Sequence, residues 1–226
     1  MEIWLDTIDF RTVKDGVERG LVSGVTTNPS ILAKAGNVQE TLAQLLEIQP
    51  GPLAVQVTAQ DPSEMIDEAR AMIEFSNRII VKIPVCKDGL IAMEELRKES
   101  IPVMGTAVLF PKQALLASAL QVAYIAPYFS HMTQNGNPSE SLKMIVETLR
   151  IQRSGSKVLA ASVKELDHFL LCAQLGVDAV TIKQDLYEQL IADHATVEGF
   201  TQKFLSEWKG AQGALSIKQA LRSRND

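Results

Sequence analysis

Cysteine is scarce: Cys86 and Cys172 are the only two in 226 residues. Two thiols cannot build a disulfide framework or a zinc cluster, and their scarcity fits a reducing cytoplasm. Each reads as a small apolar filler. Cys86 stands four positions past Lys82, but no paired histidine or second cysteine accompanies it. Dense basic runs are also missing, and the net charge is −5. Nucleic acid and anionic membrane are therefore poor partners. The longest apolar stretch, about Ala114 to Pro127, is broken by Ser118 and Gln121. It is too short and too interrupted to span a bilayer. Met1–Asp6 lacks a basic segment followed by an apolar one, so no secretory signal is read there. No Gly/Ser linker or shift in composition divides the chain. A glycine-rich phosphate loop after an early strand is absent too, which argues against an open doubly wound sheet.

What is present is an ordinary globular composition, 46% apolar and 22% charged, in a length that holds one large domain. Short β-type runs alternate with amphipathic helical stretches. Strands are predicted near Ile3–Asp6, Gly24–Thr27, Leu53–Val57, Ile79–Ile83, Val103–Val108, Val122–Ala126, Val158–Ala161 and Ala179–Ile182. Helices are predicted, among others, over Pro62–Ser76, Gly89–Lys98, Pro138–Arg153 and Lys164–Gln174. Asp61-Pro62-Ser63-Glu64 and Asn137-Pro138-Ser139-Glu140 each place a capping side chain before a proline at a helix start. Eight such units predict an α/β fold, a single (β/α)8 TIM barrel spanning 1–226. Val197–Trp208 and Leu215–Arg224 exceed what eight units need and predict a C-terminal helical extension from about residue 195. Its apolar residues at helical spacing, Phe200, Phe204 and Trp208, need burial on the barrel or on a neighbouring subunit.

Lys82 lies within Arg78-Ile79-Ile80-Val81-Lys82-Ile83-Pro84-Val85, one cation among residues of a buried strand. An ammonium withheld from water loses its proton more readily, and a neutral amine attacks carbonyl carbon to form a Schiff base. Taken alone, such a lysine also reads as a side chain that snorkels or pairs with a carboxylate. Its setting changes that reading. Barrel active sites gather where strands end, and here those ends are polar: Asp6, Thr26 with Asn28, Gln56, Lys82, Thr106, Tyr128 with His131, Ser162 with Lys164, and Lys183. Each also has a plainer use. Asp6 serves equally as a cap or turn former, and Thr26-Thr27-Asn28-Pro29-Ser30 is a good helix start. Gln56 and Thr106 serve as buried hydrogen-bonding residues, and Tyr128 as packing. His168 and His194 read as surface or packing residues.

The motifs Gly24-Val25-Thr26-Thr27-Asn28-Pro29-Ser30, Val81-Lys82-Ile83-Pro84-Val85, Gly105-Thr106-Ala107-Val108, Ala126-Pro127-Tyr128 and Leu159-Ala160-Ala161-Ser162 resemble the transaldolase family, and within it the small fructose-6-phosphate aldolases. The resemblance runs from Leu5-Asp6-Thr7 to about Trp208 and implies the same barrel fold. It implies that Lys82 forms the Schiff base, that Asp6 assists proton transfer at the carbinolamine, and that Asn28, with Thr26 beside it, meets substrate hydroxyls. Transaldolases carry glutamate and phenylalanine where this chain has Gln56 and Tyr128; the aldolases have glutamine, tyrosine and a run like Gly105-Thr106-Ala107. The resemblance thus implies cleavage of fructose 6-phosphate, with transaldolase as the near alternative and a non-catalytic sugar-phosphate-binding barrel as a third reading. It implies no metal and no cofactor, because the iminium is the electron sink. It further implies a sugar phosphate, dihydroxyacetone or an aldehyde as small-molecule partner, and homo-oligomers, pentamers or decamers, in the cytoplasm. The chain departs from the family at two positions. His131 stands where the family has an arginine that binds phosphate together with the serine matched by Ser162, and Lys183 stands where the family has proline. Either Lys183 or Lys164 replaces the missing charge, or phosphate is held more weakly and unphosphorylated aldehydes are preferred.

Overall fold

In a computed structural model that describes residues 1–222, eight parallel strands close into a barrel in the order β1 to β8. They are β1 (Glu2–Asp6), β2 (Gly24–Thr26), β3 (Leu53–Gln56), β4 (Ile79–Pro84), β5 (Val103–Val108), β6 (Tyr124–Pro127), β7 (Lys157–Val163) and β8 (Ala179–Ile182). The main helices between them are α1 (Phe10–Glu18), α2 (Pro29–Leu32), α3 (Val38–Ile48), α4 (Pro62–Phe75), α5 (Lys87–Lys98), α6 (Pro111–Ala119), α7 (Pro138–Ile151) and α8 (Leu166–Leu175). A 3-10 segment, Phe129–Asn135, precedes α7, and α9 (Gln184–Ile191) follows β8. The TIM barrel read from the alternating pattern is the fold observed. The apolar stretch around Ala114–Pro127 is the second half of α6 plus β6, and no helix among the described residues is long and apolar enough to cross a membrane.

The expected caps operate. Asp61 accepts from the Ser63 and Glu64 amides at the start of α4, and Asn137 from Ser139 at the start of α7. Both are followed by proline at the first helical turn, where a missing N–H costs nothing. Arg78, just before β4, ties that strand to the end of α3: its guanidinium donates to the carbonyls of Leu46 and Gln49. These are orphan acceptors of the last helical turn, so the cation also suits the negative end of the helix dipole.

Inward residues two apart on each strand fill the lumen: Trp4 on β1, Ala54 on β3, Ile80 on β4, Met104 on β5, Tyr124 and Ala126 on β6, Leu159 and Ala161 on β7, and Ala179 on β8. Trp4 and Tyr124 meet edge to face, ring centroids 5.3 Å apart. Both donate to the Glu2 carboxylate, at 2.9 and 3.0 Å, and Lys157 Nζ meets the same group at 2.6 Å. The N-terminal end of the barrel is therefore sealed by aromatic rings held in a polar clamp. Gly24 is required beside them, because a Cβ there would lie 2.8 Å from the Trp4 ring.

Two strands carry bulges near their C-terminal ends. The β5–β6 register shifts between Gly105 and Val108, and the β7–β8 register between Ala160 and Val163. Ala107 (φ 54°) and Ser162 (φ 57°) occupy the left-handed region without being glycine, a strain typical of functional sites. The Gln113 side chain holds the first bulge, donating to the carbonyls of Val85 (2.8 Å) and Ala107 (3.3 Å).

The chain divides into two compact units, Met1–Tyr187 and Glu188–Asp226. In the second, α10 (Ala195–Gln212) and α11 (Ile217–Arg222) follow α9. Phe200 and Phe204 stack within α10, and Trp208 Nε1 donates to the Leu215 carbonyl at 2.6 Å. The predicted end of the last helix at Arg224 lies outside the described residues.

Candidate active site

A cavity of about 190 Å³ opens at the C-terminal end of the strands, walled by Asp6, Thr26, Asn28, Lys82, Tyr128, His131, Ser162 and Lys183 together with Met104, Ala126, Leu159, Ala161 and Thr181. Larger surface grooves elsewhere line the helix layer or α10 and gather no comparable set of groups.

Lys82 is the most deeply placed cation in it, with 5% of its surface exposed. It shares the inward face of β4 with Ile80, as strand alternation requires. Its Nζ donates to the Thr27 carbonyl at 2.6 Å rather than to a carboxylate. Burial lowers the amine from its ordinary 10.5 to about 8, against the pull of the Asp6 charge, which acts the other way. The amine is therefore neutral far more often near physiological pH than an exposed lysine is.

The first three strands bring Asp6, Thr26 and Asn28 to one wall. Thr26 Oγ1 donates to Asp6 Oδ1 at 2.7 Å. Asn28 caps a helix and also lines the cavity. Its Oδ1 accepts from the Ile31 amide of α2 at 3.0 Å. With the oxygen engaged, the side chain has its NH2 donors left for a substrate hydroxyl.

On the opposite side Thr106 Oγ1 and the Tyr128 hydroxyl lie 3.0 Å apart. Thr106 is fully buried. Gln56 pairs in register with Lys82 across β3 and β4, and its buried Oε1 has no protein hydrogen-bond partner among the described residues.

His131 comes from the 3-10 segment, its ring 6.3 Å from that of Tyr128. That segment is tied to β7, because Ser130 Oγ donates to the Ser162 carbonyl at 2.5 Å. His131, Ser162 and Lys183 thus meet at the mouth over strands 6, 7 and 8. Lys164, weighed beside Lys183 as a source of positive charge, is exposed and does not line the cavity.

The plainer readings of Cys172, His168 and His194 hold, but Cys86 is exposed and is no apolar filler. Cys86 caps α5, its Sγ accepting from the Gly89 amide at 3.4 Å. Cys172 is buried in apolar surroundings, which push its thiol up to about 12. His168 packs edge-on against Phe129, and His194 Nδ1 caps α10. Thr181 lines the cavity without any local sequence signal. Its strand, Ala179-Val180-Thr181-Ile182, is an ordinary β run, and only its position two residues before Lys183, on the same face, marks it.

Solved structures of low sequence identity share the fold. Orotidine 5'-monophosphate decarboxylase from Metallosphaera sedula matches with a TM-score of 0.58 at 12% identity, over 89% of this chain and 96% of that one. A mandelate oxidase mutant matches with a TM-score of 0.57 at 14% identity, over 93% and 73%. Sequence relatives are nearer. A protein of Anaeromyxobacter sp. (strain K) named probable transaldolase is 34% identical over 92% of this chain and 97% of its own. Another so named, from Petrotoga mobilis, is 34% identical over 96% and 99%, and one from Clostridium botulinum (strain Loch Maree) is 32% identical over 94% and 99%. The family model for transaldolase/fructose-6-phosphate aldolase matches residues 3–220. The chain belongs to the transaldolase/fructose-6-phosphate aldolase family of enzymes.

Proposed function

We propose that the protein is a Schiff-base aldolase that cleaves or forms the C3–C4 bond of fructose 6-phosphate. The observation that carries this is the Lys82 amine, buried in a polar cavity and lowered to about 8 beside Asp6. The amine attacks the C2 ketone, and water leaves the carbinolamine with proton transfer through Asp6. The resulting iminium accepts the electron pair of the C3–C4 bond as a base takes the C4 hydroxyl proton. Glyceraldehyde 3-phosphate departs, the enamine is protonated at C3, and hydrolysis frees dihydroxyacetone and the Lys82 amine.

Gln56 and the Thr106–Tyr128 hydroxyl pair favour release over transfer. A neutral glutamine orients water without acting as a base, and the Tyr128 hydroxyl beside Thr106 adds a donor and acceptor that phenylalanine lacks. The names of the relatives favour a second reading, transaldolase, in which the enamine waits for another aldehyde. Incubation with fructose 6-phosphate alone separates the two. Steady release of free dihydroxyacetone is expected; turnover that requires added erythrose 4-phosphate would establish transfer instead.

Lys183 supplies the phosphate charge in this reading, with His131 and Ser162 beside it. Lys183→Met is expected to raise KM for a phosphorylated substrate by about tenfold, the scale of one charge-assisted hydrogen bond. KM for the unphosphorylated aldehyde should change less than about twofold by the same reasoning. Equal effects on both would remove the assignment.

A further inference from the structure

Asp6, Thr26 and Thr181 come from β1, β2 and β8, three neighbouring staves of the barrel. Thr26 Oγ1 lies 2.7 Å from Asp6 Oδ1 and 2.7 Å from Thr181 Oγ1. Thr26 and Thr181 are 1% and 4% exposed, so bulk water does not compete for these contacts. A threonine hydroxyl has one hydrogen, and an ionised carboxylate only accepts. With Asp6 ionised, the hydrogen of Thr26 is committed to it. The contact between the two threonines is then made with Thr181 as donor. The direction of the chain is forced: Thr181 to Thr26 to Asp6. Aligned hydroxyls polarise one another, so the far donor strengthens the bond that Asp6 receives.

We propose that Thr181 is a positioning residue that orients Asp6 through Thr26, and that the chain reverses when Asp6 carries a proton. In the reversed state Asp6 donates to Thr26, Thr26 to Thr181, and the Thr181 hydrogen turns toward the cavity that Thr181 lines. Asp6 takes up one proton in passing to this state; each threonine keeps its own hydrogen and only rotates its hydroxyl. The protonation of Asp6 on β1 is thereby registered at Thr181 on the neighbouring stave β8. This inference rests on Lys82 as the iminium-forming residue.

The test is the rate at which borohydride traps dihydroxyacetone on Lys82, read by mass spectrometry of the Lys82 peptide, together with kcat and KM for fructose 6-phosphate. Thr181→Val keeps the shape and removes the donor. Trapping and kcat are expected to fall about tenfold, with KM changed less than about twofold, the scale of one lost hydrogen bond. Thr181→Ser should restore both, which a packing role would not require. The double variant Thr26→Val/Thr181→Val should be no slower than Thr26→Val alone, since the second residue acts through the first. Thr181→Ala serves the same comparison if valine is not accommodated. Trapping of the unaltered protein with Thr181→Val at the same rate, or effects that multiply in the double variant, would overturn the proposal. If the unaltered protein forms no Lys82 adduct, the iminium reading fails and this inference with it.

Discussion

Lys82→Met is expected to abolish turnover while making the protein more stable. Deleting a covalent nucleophile costs on the order of 10⁴-fold or more in kcat, and the borohydride adduct with dihydroxyacetone should vanish with it. The gain in stability follows from the same burial that makes the amine reactive. Below about pH 8 the lysine is charged in the folded and the unfolded chain alike, and the fold bears the full cost of withholding that charge from water. Between about 8 and 10.5 the folded protein has lost this proton while the unfolded chain still holds it. Stability then rises with pH, because the unfolded state binds more protons. A fall from 10.5 to about 8 corresponds to about 3 kcal/mol. At pH 7 methionine avoids most of that cost, and a rise in Tm of roughly 5 °C is expected. The unaltered protein should also gain stability on going from pH 8 to 10, and the variant should not. A parallel test is kinetic: kcat/KM should climb through about pH 8 as the free amine forms. A variant with a lowered Tm and residual adduct at another lysine would remove Lys82 from its role.

The second large effect concerns the fate of the enamine. Tyr128→Phe deletes the hydroxyl that lies 3.0 Å from Thr106 Oγ1 and nothing else. Release of dihydroxyacetone from fructose 6-phosphate alone is expected to fall about 100-fold, the scale of a lost proton-handling group. Transfer to added erythrose 4-phosphate should persist, because Lys82 and Asp6 are untouched. If both fall together, the hydroxyl serves the shared steps and does not decide between release and transfer. If neither falls, Tyr128 is a wall of the cavity only.

Much of this was legible in the chain before folding. Aliphatic runs marked the strands because a parallel sheet covered on both faces needs apolar residues throughout. The polar strand ends marked the mouth. Lys82 stood out because a lone cation in such a run has few uses. What escaped was tertiary. The apolar pattern starts β6 at Val122, but Gln121 turns through the left-handed region at φ 56° and the strand begins at Tyr124. The bulges at Ala107 and Ser162 were invisible because neither residue is glycine. Lys164 and Lys183 looked equivalent by sequence, yet only the second faces the cavity. Thr181 gave no local sign, since its partner is 155 positions away.

The stopper formed by Trp4, Tyr124, Glu2 and Lys157 fills the barrel at the end away from the Lys82 cavity. In the proposed reaction, the departing and arriving aldehydes share the mouth beside Lys82 and so exclude one another.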